Sequence, residues 1–155
     1  MSSIAPLLTL PTNTTRSLQS VNFTGRYAAV RSDSLGHLDP VTSSSTTEVK
    51  KSATFTVVPG LAEPTCYSFR DSSGRYLRHK DYRIRFDASN GSTTFNSDAT
   101  YCARPGSATG SVGLESYNYP GRYLRHHNYE LRIDPYQDTA VFRADSSFRA
   151  VSPWA

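Results

Sequence analysis

A chain of 155 residues with a net charge of +4 and a mean hydropathy of -0.51 can hold one domain with a real core, but not two comfortable ones. No apolar run approaches the ~20 residues of a membrane-spanning helix, which excludes a helical span. With 9 Gly, 9 Pro, a single Met and 12% aromatics, ten of them Tyr, the composition favours short strands and turns over helices.

In chain order, residues 1–15 carry Pro6, Pro11 and a Thr/Asn cluster, which reads as a tether or loosely bound arm. This stretch has no basic segment followed by a long apolar one, so no signal peptide is visible; an excised mature segment is expected. A single domain over 16–155 follows, in three repeats of about 17–61, 64–106 and 111–155. Pro59-Gly60 and the stretch 104–110 supply turn residues at the two junctions. Each repeat opens on an alternating segment: Leu18 and Ser20, Tyr67 and Phe69, Leu114 and Ser116. Turns follow at Asn22 to Gly25, Asp71 to Gly74 and Asn118 to Gly121, and then a second strand beginning Arg-Tyr. Period-two alternation predicts a third strand at Tyr82 to Phe86 and at Tyr129 to Ile133. A fourth strand is expected at Thr93 to Phe95 and at Ala140 to Phe142, closed by Tyr101 or Phe148; no segment shows helical periodicity.

The repeats are close copies. Gly74 to Asp87 and Gly121 to Asp134 are displaced by 47 residues without gaps, and a weaker copy begins at Gly25, 49 residues before Gly74. Four short strands in each of three repeats of about 45 residues describe an all-β architecture, the β-trefoil, with three pseudo-symmetric units. One repeat cannot bury its apolar face, whereas three bury a shared core and leave few open edges. A β-sandwich does not explain the regular displacement.

A threefold fold offers three equivalent sites, so the informative residues are those that do not repeat evenly. His79 and His126 match, as do Asp98 and Asp145, each Asp 19 residues after its His. The first repeat has Val30 and Ser52 instead. Joint loss points to a site rather than to architecture. A carboxylate accepts from two hydroxyls and a neutral imidazole offers one donor and one acceptor; with an aromatic wall these suit a small polyol such as a sugar ring. The competing structural role has the aspartates capping turns and the histidines packing at strand ends. Tyr82 and Tyr129 fit core packing as well as ligand contact, and Asn128, matched by Asp81, fits a turn.

The basic excess is spread over matching arginines (Arg75 and Arg122, Arg78 and Arg125, Arg85 and Arg132), which suits bracing of turns better than binding nucleic acid or another polyanion. Cys66 and Cys102 lie near the start and end of repeat two, where they suit either a bridge closing that repeat or two buried thiols. Sequons at Asn13, Asn22 and Asn90 fit secretion. No metal-ligand spacing, Ser-His-Asp pattern or cofactor motif stands out.

The runs Gly-Arg-Tyr-Leu-Arg-His-x-Asn/Asp-Tyr, followed by Asp98 to Tyr101 or Asp145 to Phe148, resemble the arabinofuranose-binding modules of carbohydrate-binding family 42, the C-terminal domains of arabinofuranosidase B type enzymes. The resemblance covers about residues 17–152. It implies a β-trefoil, sugar sites at His79 with Asp98 and at His126 with Asp145, and a Cys66–Cys102 bridge; Tyr82, Asn128 and Tyr129 are further candidate ligand contacts. It implies an extracellular, monomeric, non-catalytic module that takes arabinose-bearing hemicellulose and targets an attached glycoside hydrolase, without cofactor, metal, nucleic acid or membrane. The alternative is a trefoil lectin or interaction protein of different sugar or protein specificity. A glycosidase is disfavoured, because each locus repeats one Asp with a His rather than two carboxylates.

Overall fold

The computed structural model describes residues 6–155; of the expected arm, residues 1–5 lie outside the described residues. Repeat one contains β1 (Thr14–Ser20), β2 (Arg26–Val30), β3 (Gly36–Pro40), α1 (Thr47–Ser52) and β4 (Phe55–Pro59). Repeat two contains β5 (Tyr67–Arg70), β6 (Tyr76–Lys80), β7 (Arg83–Asp87), α2 (Thr93–Asp98) and β8 (Tyr101–Pro105). Repeat three contains β9 (Val112–Ser116), β10 (Arg122–His127), β11 (Glu130–Pro135), α3 (Ala140–Asp145) and β12 (Ser147–Val151). Strands β1, β4, β5, β8, β9 and β12 pair antiparallel around a ring, which closes where Ser17 to Ser20 lie opposite Val151 to Phe148. The remaining six strands form the hairpins β2–β3, β6–β7 and β10–β11, which cap one end. This is the β-trefoil.

Matching positions fill the core in triplets. Phe55, Tyr101 and Phe148 sit at the starts of β4 and β8 and near the start of β12, while Leu38, Phe86 and Ile133 come from the hairpins; all are buried. Phe55 and Phe86 stack across two repeats with centroids 5.5 Å apart. Burying one such ring contributes roughly 1.5–3 kcal/mol, so the shared core, not any single repeat, stabilises the fold. The arm is bound rather than loose over residues 8–13. Leu8 N donates to Ala103 O, Leu10 N to the Tyr67 hydroxyl and Asn13 N to Val57 O, and Leu10 is buried.

The expected fourth strands are instead α2 and α3. Ser92 and Thr139 are N-caps, accepting from Phe95 N (3.0 Å) and Phe142 N (3.1 Å), and Phe95 with Asp98, and Phe142 with Asp145, share the buried face. A helix of six residues is under two turns, so only one i,i+3 pair marks its period. The Cys66–Cys102 disulfide is formed.

The hairpins meet through Arg83. Its guanidinium donates to Gly36 O (2.8 Å) and Leu131 O (3.2 Å), and lies 3.3 Å from Glu130. One side chain of repeat two thus ties repeats one and three. Gly36 admits this close approach, since a Cβ there would stand 2.7 Å from Ile84 Cγ2.

Arg83→Met leaves two carbonyls without these donors, so urea denaturation should show a loss of about 1–3 kcal/mol. Reducing the disulfide, which closes a separation of 36 residues, should remove roughly 4 kcal/mol in the chain-entropy model. A matched melt with and without reductant reads this.

Candidate functional site

Each candidate pocket straddles a boundary between repeats. At the first, β6 supplies Arg78 and His79, the β6–β7 turn supplies Tyr82, and the last residue of α2 is Asp98. Repeat three contributes Asn118 and Tyr119 from the turn after β9, and Arg122 from β10. At the second, Arg125, His126, Tyr129 and Asp145 of repeat three meet Asn22, Phe23 and Arg26 of repeat one. The structure therefore gathers His79, Tyr82 and Asp98 in one place and His126, Tyr129 and Asp145 in another. Asn128 stands apart from these contacts. It and Asp81 take the first left-handed position of two-residue hairpin turns (φ 52° each), and Tyr129 and Tyr82 take the second (φ 61° and 64°). That turn holds both tyrosines outside the core, 46% and 41% exposed.

An asparagine amide organises each pocket. Asn118 Nδ2 donates to Asp98 Oδ1 at 2.8 Å; a carboxylate only accepts, so the amide oxygen faces the imidazole. His79 Nε2 then carries the proton and donates to Asn118 Oδ1 at 2.8 Å. Ser116 Oγ adds a second donor to that oxygen at 3.2 Å. The second pocket repeats this: Asn22 Nδ2 to Asp145 Oδ1 at 2.8 Å, His126 Nε2 to Asn22 Oδ1 at 2.8 Å, and Ser20 Oγ to Asn22 Oδ1 at 2.9 Å. His79 and His126 lie 3.6 and 3.5 Å from the carboxylates, beyond hydrogen-bond reach, so the amide carries the link.

The other carboxylate oxygen meets an arginine. Arg78 donates to Asp98 Oδ2 at 2.7 Å and to Asp87 Oδ2 at 3.3 Å, with its guanidinium 5.1 Å from the Phe95 ring. Arg125 bridges Asp145 Oδ2 (3.0 Å) and Asp134 Oδ2 (3.2 Å) beside Phe142. Each aspartate oxygen thus holds one protein donor and keeps one acceptor direction, at a side chain 11–12% exposed. Exposed rings form the rim. Tyr119 lies against His79 (4.7 Å) and 5.9 Å from Tyr82, and Phe23 stacks on His126 (4.9 Å) 5.9 Å from Tyr129. Arg122 covers Tyr82 at 3.7 Å and Arg26 covers Tyr129 at 3.9 Å, each from the neighbouring repeat.

Sequence reasoning missed Asn22, Phe23, Asn118, Tyr119 and the bridging arginines. The signal was present. Ser20-Val-Asn22-Phe23 and Ser116-Tyr-Asn118-Tyr119 match, while repeat two reads Phe69-Arg-Asp71-Ser72. At the third boundary Val30 and Ser52 face no such partner, and Asp71 is spent on Ser73 and Arg75 of its own turn.

The fold is a trefoil with two inter-repeat clusters, each an amide-clamped carboxylate beside a histidine that carries an exposed aromatic ring. The chain belongs to the alpha-L-arabinofuranosidase B (ABFB) domain family, whose model matches residues 16–150. It is 37% identical over 124 residues to an alpha-L-arabinofuranosidase of Hypocrea jecorina, covering 76% of this chain and 25% of that protein. It is 29% identical, with a TM-score of 0.87, to an arabinofuranosidase crystallised with arabinofuranosyl-alpha-1,2-xylobiose, covering 99% of this chain and 34% of the other. A Polyporus squamosus lectin shares the fold alone, at 10% identity and a TM-score of 0.64 over 92% of this chain and 50% of the other. The chain spans about a quarter of the length of the curated relatives it matches.

Burial holds both imidazoles below the ordinary histidine range, against the opposing pull of Asp98 and of Asp145. Nearby Arg78 and Arg122 push His79 the same way as burial, as Arg125 and His127 do His126. The folded protein then binds fewer protons than the unfolded chain just below about pH 6.5, the unperturbed value. Stability should be full above that pH and decline as it falls toward the depressed folded values. Urea midpoints at pH 7.5, 6.5 and 5.5 should decrease, and the double variant His79→Gln, His126→Gln should flatten the slope.

Proposed function

We propose that this chain is a non-catalytic carbohydrate-binding module with two arabinofuranosyl sites, His79–Asp98 and His126–Asp145, that targets a glycoside hydrolase to arabinose-bearing hemicellulose. The observation that carries the reading is the duplicated cluster: one carboxylate with a single protein donor on each oxygen, beside a histidine that carries an exposed ring, twice over, in a chain of the ABFB family. Each aspartate accepts two vicinal hydroxyls of the sugar, and Tyr82 with Tyr119, or Tyr129 with Phe23, covers its apolar edge. The histidines act from behind. Their side chains are only 2% and 4% exposed, so they hold the asparagines rather than meet the ligand. Asn128 reaches the sugar only through the turn that presents Tyr129.

The chemistry supports binding without hydrolysis. A glycosidase needs one carboxylic acid protonated and a second carboxylate across the sugar. Here Asp98 and Asp87 share Arg78, and Asp145 and Asp134 share Arg125, so each candidate aspartate is engaged in an ion pair. The match covers only 25% of the relative's length, which leaves room for a catalytic domain in a parent chain. The disulfide suits an oxidising compartment, and with these relatives supports an extracellular module.

Calorimetric titration with arabinoxylan oligosaccharides should give two sites per chain and none for undecorated xylan. Asp98→Ala and Asp145→Ala should each leave one. Two charge-assisted hydrogen bonds of roughly 1.5–3 kcal/mol each put the loss at the mutated pocket above about 100-fold. Retention of the folded double mutant on an arabinoxylan column would overturn the reading.

A further inference from the structure

The two pockets differ in one covalent respect. Asn22-Phe23-Thr24 is an N-glycosylation sequon, whereas its counterpart Asn118-Tyr119-Pro120 has no hydroxyl residue at the third position. Asn22 Nδ2, the atom that would carry the glycan, is the atom that donates to Asp145 Oδ1. Phe23, the second sequon residue, is the ring stacked on His126. The modification signal and the sugar pocket are therefore built from the same residues.

We infer that Asn22 is a modification site that sets the valency of the module: a glycan on Asn22 occupies the His126–Asp145 pocket and leaves the His79–Asp98 pocket open. The inference rests on the two-site reading above. In the folded protein Asn22 is exposed but its amide is engaged, and its partners arrive late. His126 lies 104 residues further along the chain and Asp145 123 residues. At about 5–20 residues per second, that separation corresponds to roughly 6–25 s during which the emerging Asn22 amide is unpaired. In that interval Nδ2 forms a bond to C1 of a lipid-linked oligosaccharyl diphosphate. The C1–O bond breaks, the lipid diphosphate leaves with the electron pair, and one amide proton is released. One Nδ2 hydrogen remains for Asp145, so the clamp survives while the attached sugar fills the space beneath Phe23 and Tyr129. The other two sequons are built into other contacts: Asn90 Oδ1 accepts from Ser92 N, and Asn13 N donates to Val57 O.

The test compares the chain made in a bacterial host with an oxidising compartment and the chain secreted by a glycosylating fungal host behind a secretory leader. Peptide mapping reads occupancy at Asn22, and calorimetry with an arabinofuranosyl-bearing xylo-oligosaccharide reads stoichiometry. The bacterial protein should bind two ligands and the secreted protein two minus the Asn22 occupancy. Thr24→Ala removes the sequon and should restore two in the secreted protein, with glycans at Asn13 and Asn90 unchanged. Thr24 is exposed and contributes only its carbonyl, to Gln19 Nε2, so the pocket is untouched. Thr24→Val, closer in shape, should behave the same. Secreted protein with Asn22 unmodified, or modified and still binding two, overturns the inference. A bacterial stoichiometry below two overturns the two-site reading itself, whatever the glycan map shows.

Discussion

Pairing of β1 with β12 is the constraint on which both the fold and its pockets depend. It joins the first strand of the chain to the last and completes the six-stranded ring. One of the two amide clamps exists only after this closure, because Asn22 enters with β1 and Asp145 immediately precedes β12. The other clamp needs only β8 beside β9. Contacts over such separations form slowly, since loop-closure entropy opposes them before any stabilisation is gained. The two pockets have one geometry and two very different contact orders, and the later one is the pocket exposed to covalent interference during synthesis.

Periodicity made the architecture legible. Displacements of 47 and 49 residues marked three repeats, and period-two alternation found β7 and β11 to within two residues, with starts at Arg83 and Glu130 rather than at the tyrosines before them. The tyrosines belong to the turns, where paired positive φ values override the alternation. Helices α2 and α3 escaped because a six-residue helix leaves one i,i+3 pair, which also fits a strand ending on an aromatic residue. Ser92 and Thr139, three residues before Phe95 and Phe142, were the capping signal that could have separated the two.

Half of each pocket was legible for the same reason that half was not. Presence in two repeats and absence in one picked out His79, Asp98, His126 and Asp145. The same subtraction applied to the turns picks out Asn22, Phe23, Asn118 and Tyr119, but there the odd repeat is the second, with Asp71 and Ser72. Two different repeats are missing because one pocket takes its halves from neighbours. The absent halves, Val30 with Ser52 and Asp71 with Ser72, belong to a single boundary. A sequence read repeat by repeat shows two unrelated gaps; the closed ring makes them one.

That third boundary also explains why the polar residues vanish together. Ala29 stands where Arg78 and Arg125 stand, Val49 where Phe95 and Phe142 do, and Phe69 where Ser20 and Ser116 brace the asparagine. Asp39, the counterpart of Asp87 and Asp134, is paired instead with Arg31 from the longer β2–β3 turn. A clamp that kept its aspartate without the arginine, or its histidine without the amide, would bury a charge or a donor with nothing to satisfy it, at several kcal/mol for the charge and ~1–3 for the donor. Intermediate states are thus costlier than either the complete clamp or none. The network is retained whole at two boundaries and removed whole at the third, where Val30 and Val49 replace the histidine and the aromatic ring and Asp71 is satisfied within its own turn.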